Sequence, residues 1–330
     1  MLLTMSKKMK LIEFQKRVFL KKVAFIFPGQ GSQAVGMGKD FFENSEKAKE
    51  LIEKASAESG IDFQKLLFTE NSDLEKTEFT QPAILLVSQI AYQLFREKTE
   101  IEPKYLLGHS LGEFSALVSA GALDLNSAVK LVNRRGELMK EACENVDAGM
   151  MAVIGISDEN VEKVCATARE NGKKVWGANF NSDGQVVLAG IKSDLESVQP
   201  DLKEAKAKKS VVLNMSVASH CELLDSATGE LQKELEEKLS ENFGTPIVSN
   251  VTAKPYSTRE EAIELLTKQL VSPVKYSDSI RNIADEVDLF IEFGHGGVLR
   301  GLNRRIVKSI PTLVVSDMAS LEKAIEELAK

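Results

Sequence analysis

The chain of 330 residues has few of the features that mark metal-binding or disulfide-bonded proteins. It contains three cysteines, Cys143, Cys165 and Cys221, and no C-x-x-C spacing. An odd number of widely spaced cysteines gives neither a disulfide framework nor a structural zinc site, and it suits a reducing compartment. We therefore expect a cytoplasmic protein that holds no metal.

Long apolar segments are also scarce. The longest stretch without a charged residue covers 17 residues, from Phe79 to Phe95, and it includes Thr80, Gln81 and Ser88. Such a segment is too short and too polar for a membrane span, and it predicts a buried helix instead. Charged side chains also interrupt the apolar positions of residues 1–22, so this segment does not have the pattern of a signal peptide.

Positive charge is concentrated at the N-terminus. The net charge is −7, and residues 1–22 carry seven lysines and arginines against one glutamate, a local +6, so the rest of the chain carries −13. An acidic body of this kind argues against nucleic-acid binding. We interpret residues 1–22 as a basic extension, either disordered or a result of an uncertain start site.

The apolar segments of the body alternate between strand and helix patterns. The runs VAFIF (23–27), KYLLG (104–108) and LFIEFG (289–294) predict buried strands, and helical patterns separate them. This alternation favours an α/β fold with a parallel sheet.

The middle of the chain has a different order. Residues 148–216 read as strand, helix, strand, strand, helix and strand, which is the ferredoxin-like pattern. Both helices of this segment follow a Ser-Asp pair, beginning at Ser157 and Ser193, which predicts N-caps. We predict a small lobe at 148–216 inserted into a large lobe made of 23–147 and 217–330, with a cleft between the two.

The clearest catalytic pattern is GHSLGE, in which Ser110 lies between Gly108 and Gly112. The pattern G-x-S-x-G is that of a nucleophile elbow, a tight turn between a strand and a helix. It is short enough to occur by chance, but a predicted strand precedes it and a predicted helix follows it. This context favours Ser110 as a nucleophile over a serine in an ordinary loop.

A serine nucleophile needs a base, and the chain offers three histidines. His109 adjoins Ser110, and we expect its side chain to point away from the serine. His295 lies in the glycine-rich loop FGHGGVL and remains an alternative. His220 follows the last strand of the small lobe, where the chain re-enters the large lobe, and this position favours it as the base.

An acyl-transfer site also needs hydrogen-bond donors for the oxyanion. The backbone N–H of Leu111, at the start of the predicted helix, is one candidate. The glycine-rich segment FPGQGSQ is the candidate source of a second donor. This segment matches neither G-x-G-x-x-G nor G-x-x-x-x-G-K-[ST], so it does not indicate nucleotide binding.

One arginine lies on the apolar face of a predicted helix. In the segment 126–143, Ala128 and Met139 belong to an apolar stripe that also includes Arg135, whereas Arg134 falls beside the stripe. A buried guanidinium is costly unless it meets an anion. Two alternatives remain open from the residues alone: a salt bridge within the core, or a bidentate contact with a substrate carboxylate.

Several segments together carry a family resemblance. FPGQGSQ, TQPA, GHSLGE, RRGELM, NFNSDGQVV, SVASHC and SNVTA occur in this order. From about Val23 to Arg305 the chain resembles the malonyl-CoA:acyl carrier protein transacylase family of bacterial type II fatty acid synthesis. The resemblance implies an α/β-hydrolase-like large lobe with a ferredoxin-like insert. It also implies ping-pong transfer of a malonyl group, through a malonyl-serine, from malonyl-CoA to the phosphopantetheine thiol of acyl carrier protein, with no cofactor.

The resemblance also assigns site residues by position. The implied roles are a nucleophile (Ser110), its base (His220), two oxyanion-hole N–H groups (Gln30 and Leu111), a clamp for the malonate carboxylate (Arg135), a backbone carbonyl that orients the histidine (Gln269) and a pocket glutamine (Gln81).

Three other interpretations compete with this one. A serine esterase would share the nucleophile and base, but a buried Arg135 brings no benefit to neutral acyl groups. A non-catalytic module that docks a carrier protein has no need of Ser110 and His220. An acyltransferase domain of a polyketide synthase is the third, and the acidic chain without carrier or ketosynthase segments favours a free-standing enzyme. We expect a monomer that binds neither nucleic acid nor membranes.

Overall fold

The computed structural model describes residues 21–329 with the exception of 214 and 216, and it contains two β-sheets. The strands are β1 (Val23–Phe27), β2 (Tyr105–Gly108), β3 (Ala148–Ile154), β4 (Val175–Ser182), β5 (Gln185–Ile191), β6 (Lys209–Val212), β7 (Ile247–Val248), β8 (Pro255–Tyr256), β9 (Leu289–Phe293) and β10 (Thr312–Val315).

Fourteen α-helices surround these sheets in the described part of the chain. They are α1 (Lys39–Asn44), α2 (Glu46–Ser59), α3 (Phe63–Phe68), α4 (Thr77–Lys98), α5 (Gly112–Ser119), α6 (Leu125–Cys143), α7 (Asp158–Glu170), α8 (Lys192–Ser197), α9 (Gln199–Glu204), α10 (Thr228–Lys238), α11 (Arg259–Gln269), α12 (Tyr276–Ile283), α13 (Val298–Ile306) and α14 (Met318–Leu328).

The larger sheet has six strands in the order β10-β9-β1-β2-β7-β8. All neighbouring pairs are parallel except β7 and β8, which are antiparallel. The central strand β1 is buried at every residue because both faces of the sheet are covered. Phe25 and Phe27 belong to the apolar cluster on one face, and Ala24 and Ile26 to the cluster on the other. The three predicted strands and the parallel α/β sheet are confirmed.

The smaller sheet is antiparallel, with the strand order β4-β5-β3-β6. It has its own apolar core, which includes Met151, Val161 and Leu188. The order of its elements along the chain is the ferredoxin-like order that the sequence predicts. Ser157 caps α7 as expected, because its side chain accepts a hydrogen bond from the backbone N–H of Asn160 at 3.4 Å.

The second helix of the small lobe differs from the prediction. The segment that begins at Ser193 forms two short helices, α8 and α9, and α8 begins before Ser193 without a side-chain cap. Pro200 explains the break, since proline has no N–H for the helical hydrogen bond to the preceding turn. Asp194 is engaged elsewhere, because it accepts a hydrogen bond from the backbone N–H of Lys174 at 2.8 Å. The predicted cap at Ser193 is therefore wrong.

The small sheet is joined at its β4 edge to the segment of the large lobe between α11 and α12. Val274 pairs with Asn179 of β4, and its carbonyl accepts a hydrogen bond from the N–H of Phe180 at 2.9 Å. An ion pair between Arg281 and Asp183 adds a second link. These contacts fix the small sheet beside the carboxyl ends of the parallel strands.

The longest described helix is α4, which contains the uncharged stretch Phe79 to Phe95. Nearly all of that stretch is buried, so the prediction of a buried helix is confirmed. Over the described ranges, no helix combines the length and the apolar character that a membrane crossing requires. Of the predicted N-terminal extension, residues 1–20 lie outside the described part.

Candidate active site

Ser110 lies on the turn that joins β2 to α5. Its backbone is left-handed, with a φ of 51°, which is uncommon for a residue with a side chain. A Cβ at Gly108 would lie 1.9 Å from the carbonyl carbon of Gly112, and a Cβ at Gly112 would lie 2.0 Å from the carbonyl oxygen of Phe27. Both glycines are therefore required by close backbone approach, and the turn has the geometry of a nucleophile elbow.

His220 reaches the serine from the segment that follows the small lobe. Its Nε2 lies 2.8 Å from Ser110 Oγ, and its Nδ1 lies 2.7 Å from the carbonyl oxygen of Gln269. A carbonyl oxygen only accepts hydrogen bonds, so Nδ1 carries the proton and Nε2 is free to accept the serine proton. Ser110 and His220, and the Gln269 carbonyl that the family resemblance implies, are thus connected by hydrogen bonds through the imidazole.

The environment of His220 keeps its imidazole neutral. Burial, together with the positive charge of Arg135, lowers the pKa of His220 to about 3. The hydrogen bond to Gln269 acts in the opposite direction and does not outweigh burial. A neutral imidazole is the form that accepts a proton.

Arg135 projects from α6 into the same site and is 2% exposed. Its Nη1 donates to Gln81 Oε1 at 2.7 Å, and its Nη2 donates to Gln269 Oε1 at 3.0 Å and lies 3.4 Å from Ser110 Oγ. Its Nε has no partner in the described part of the chain. Burial lowers the pKa of Arg135 only to about 10, so the group is charged at neutral pH.

Of the two alternatives for Arg135, the geometry does not support a salt bridge within the core. No carboxylate of the described residues lies within 4.0 Å of the Arg135 guanidinium. The neighbouring Arg134 pairs with Glu137 at 3.1 Å and with Glu141 at 2.8 Å on the outer face of α6. Arg135 is thus a buried cation held by neutral amides, which leaves it able to pair with an anion in the cleft.

Gln81 holds one end of that guanidinium. Its Nε2 donates to Thr77 Oγ1 at 2.9 Å and lies 3.4 Å from Met139 Sδ. Because the amide nitrogen is engaged there, the amide oxygen faces Arg135. The pocket glutamine of the sequence prediction is therefore a direct neighbour of the arginine.

Gln30 and Leu111 both line the cleft beside Ser110. The backbone N–H of neither residue donates to another group in the described part of the chain. The side-chain oxygen of Gln30 is engaged elsewhere, because Oε1 accepts a hydrogen bond from Thr77 Oγ1 at 3.1 Å. Two backbone donors are thus available next to the serine.

The other two histidines do not reach Ser110 Oγ. His109 also lines the cleft, but its Nε2 lies 2.7 Å from Asn181 Oδ1 of the small lobe and not on the serine. His295 lines a separate cavity together with Gly36 and Arg300. The alternative in which His295 acts as the base is therefore not supported by the structure.

Two residues that were not among the predicted site residues support the site. Glu113 and Asn250 are both buried, and the Asn250 N–H donates to Glu113 Oε2 at 3.1 Å. Asn250 Oδ1 accepts from the N–H of Ser110 at 2.7 Å, and Asn250 Nδ2 donates to the carbonyl of Gly108 at 2.7 Å. Both residues stand in motifs already noted, GHSLGE and SNVTA, so the signal was present but not interpreted.

The cleft that contains these groups has a volume of about 520 Å³ and lies between the two lobes. Its small-lobe side is lined by Met150, Asn179, Asn181, Val187 and Leu213. Elsewhere in the described chain as well, no cluster of three or more His, Cys, Asp or Glu side chains is arranged to hold a metal ion.

Comparison with known proteins shows the family of the chain. Residues 24–324 match the acyl transferase domain family. The malonyl CoA-acyl carrier protein transacylase of Bacillus subtilis strain 168 is 38% identical over 311 residues, which cover 94% of this chain and 98% of the relative. The transacylase of Escherichia coli strain K12 is 38% identical over 310 residues, which cover 93% of this chain and 100% of the relative.

Solved structures agree as well. The malonyl-CoA:acyl carrier protein transacylase of Helicobacter pylori has a TM-score of 0.91 and 47% identity, and the alignment covers 94% of this chain and 99% of that one. A malonyl-transacylase solved in complex with a type II polyketide synthase acyl-carrier protein has a TM-score of 0.89 and 37% identity, with 93% and 99% covered.

The fold, the cleft and the family match together define an acyltransferase with an α/β-hydrolase-like large lobe and a ferredoxin-like small lobe. Within that class, the chain belongs to the malonyl CoA-acyl carrier protein transacylase family.

Proposed function

We propose that this chain transfers a malonyl group from malonyl-CoA to the phosphopantetheine thiol of an acyl carrier protein and so supplies fatty acid chain elongation. The observation that carries the proposal is the position of Arg135. It is a buried cation that pairs with no carboxylate of the described residues, and its Nη2 lies 3.4 Å from Ser110 Oγ. A second carboxylate on the acyl group distinguishes malonate from the substrates of an ordinary esterase.

The first half-reaction forms a malonyl-serine. Ser110 Oγ attacks the thioester carbonyl carbon while His220 Nε2 takes the hydroxyl proton. The tetrahedral intermediate collapses, the carbon–sulfur bond breaks, and the proton passes from His220 to the leaving CoA thiolate. The 2.8 Å contact between Nε2 and Oγ supports this assignment.

The second half-reaction reverses the roles. The phosphopantetheine thiol gives its proton to His220 Nε2, and its sulfur attacks the ester carbonyl carbon. The bond between that carbon and Ser110 Oγ breaks, and the serine recovers the proton from the histidine. The sequence of two transfers through one covalent intermediate is a ping-pong mechanism.

The oxyanion of each tetrahedral intermediate is assigned to the backbone N–H groups of Gln30 and Leu111. These groups flank Ser110 and have no other described acceptor, so they are free to donate. The N–H of Leu111 also lies at the N-terminal end of α5, where the helix dipole favours negative charge.

Arg135 is assigned to the free carboxylate of malonate, with Gln81 and Gln269 holding the guanidinium. Part of the low pKa of His220 comes from the charge of Arg135. A bound carboxylate would offset that charge, so malonate binding is expected to make His220 a stronger base. The clamp would thereby select the substrate and promote proton removal together.

The proposal assigns every step to groups of the chain or its substrates, so it calls for no cofactor or metal. We further propose a cytoplasmic monomer whose lobes are divided at 23–147, 148–216 and 217–330. The separate apolar core of the small lobe supports this division.

Mass spectrometry of the intact protein tests the chemistry. Incubation with malonyl-CoA should give a malonyl adduct on Ser110, and the adduct should be absent in Ser110→Ala. Ser119→Ala, at the last residue of α5, the helix that follows Ser110, should form the adduct normally. Addition of phosphopantetheinylated acyl carrier protein should remove the adduct and yield malonyl-carrier protein. Release to water at the same rate with and without the carrier protein would support an esterase instead.

A further inference from the structure

Glu113 is a buried carboxyl group beside the site for which the mechanism above has no use. It lies in the first turn of α5, three residues after Ser110, and is 1% exposed. Burial raises the pKa of Glu113 to about 7, against the opposing effects of its hydrogen bonds and of Arg135. A group this costly to bury needs a reason for its presence.

Glu113 contacts Asn250 and Gln269, which support different parts of the site. Its Oε2 accepts hydrogen bonds from the backbone N–H of Asn250 at 3.1 Å and from Gln269 Nε2 at 2.8 Å. Asn250 in turn binds the backbone of Gly108 and Ser110 and so supports the elbow. Gln269 in turn accepts a hydrogen bond from Arg135.

The amide of Gln269 has two unlike ends, and each faces a specific partner. Its Nε2 also donates to the Ser110 carbonyl at 3.2 Å, and its Oε1 accepts from Arg135 Nη2 at 3.0 Å. If the amide were turned over, its NH₂ would face the donors of the guanidinium. Above its pKa of about 7, Glu113 is an ionised carboxylate that only accepts hydrogen bonds, and it then requires the NH₂ end on its side.

We propose that Glu113 is a positioning residue for acyl selectivity, which fixes the orientation of the Gln269 amide and thereby holds Arg135 toward the substrate carboxylate. This inference rests on the proposed function, since it assumes that Arg135 binds malonate. Glu113 touches neither substrate nor the reacting atoms; it acts through Gln269.

The test is the ratio of kcat/KM for malonyl-CoA to that for acetyl-CoA, measured at a pH above the pKa of Glu113. Glu113→Met removes both acceptor oxygens and should lower this ratio about tenfold. Glu113→Gln retains one acceptor oxygen but removes the charge, and it should lower the ratio about threefold. A loss of the Glu113 contact with Asn250 would disturb the elbow and lower kcat/KM for both acyl groups equally. The ratio of the two values therefore reports only the effect that passes through Gln269.

Glu292 supplies a matched control. It is also a fully buried glutamate, its pKa is also raised by burial to about 7, and it accepts the N–H groups of Leu299 and Arg300 at 3.0 and 2.9 Å. It is not among the residues that line the cleft. Glu292→Met should lower the melting temperature as Glu113→Met does, but it should leave the acyl ratio unchanged.

An unchanged ratio in folded Glu113→Met, or equal losses for the two acyl groups, would overturn the inference. If Glu113→Met does not fold, Glu113→Gln decides by the same criterion. Failure of the proposed function gives a different result, because the wild-type protein would then form no malonyl-serine or Arg135→Ala would leave the ratio unchanged.

Discussion

The two walls of the cleft differ in the chemistry they offer. The large-lobe wall carries Ser110, His220 and Arg135, and the charged side chains at the rim of the cleft also belong to this lobe. The described residues that the small lobe contributes to the lining are apolar side chains and the two amides of Asn179 and Asn181. The proposed reacting groups and the charged side chains of the described lining thus belong to one wall. The other wall gives shape without an anion that would compete with malonate for the arginine.

The largest effect that this contrast predicts concerns the base on the large-lobe wall. His220→Ala should lower the transfer rate by about 100-fold or more, the usual range for loss of a general base. His295→Ala, in a separate cavity, should change the rate little and serves as the control. Steady-state transfer from malonyl-CoA to acyl carrier protein measures both. Reversed effects would assign the base to the FGHGGVL loop.

The next effect concerns the charge on that wall. Arg135→Ala should shift the malonyl-to-acetyl ratio of kcat/KM toward acetyl by about 100-fold, as expected when a buried charged hydrogen bond is lost. Lysine should substitute poorly because it loses the planar fork. Arg134→Ala, one residue away on the outer face, should leave the ratio unchanged.

A thermal melt must accompany the kinetics of the arginine variants, because loss of a buried residue also affects folding. Equal losses for malonyl and acetyl transfer in a folded Arg135→Ala protein would refute the clamp.

The smallest effect is expected on the opposite wall. Asn181→Ala removes the 2.7 Å contact with His109 and should lower kcat/KM for malonyl-CoA only about threefold, the scale of one neutral hydrogen bond. Asn160→Ala, on a helix of the same lobe, should have no effect. A loss as large as that of His220→Ala would mean that the small lobe takes part in the chemistry.

The sequence predicted the parts of this architecture that depend on local patterns. The buried strand VAFIF and the elbow around Ser110 follow from apolar runs and from glycine spacing, which act over a few residues. Arg135 was found because a cation on an apolar stripe contradicts the helix pattern around it. Its role as a clamp and that of Gln269 were implied by family resemblance.

The parts that could not be predicted depend on contacts between distant segments. The amide contacts of Arg135 come from α4 and α11, which are 54 and 134 residues away in the chain. Asn250 lies 140 residues from Ser110, and nothing in the local pattern of either segment indicates their contact. The break between α8 and α9 is the opposite case, because Pro200 stood in the sequence as a local signal that the prediction passed over.

The proposed nucleophile and its proposed base share a backbone feature with a consequence for the evolution of the chain. Ser110 and His220 both have left-handed backbones, with φ values of 51° and 59°, at positions where glycine would be relaxed. Such residues cost of order 1–3 kcal/mol each. Ser110→Gly would relieve this strain and abolish the proposed chemistry, so heat tolerance and turnover are opposing demands at that position. His220→Gly would also empty a buried volume, and the cost of that cavity would offset the relief. Stabilising substitutions are therefore better sought elsewhere in the chain.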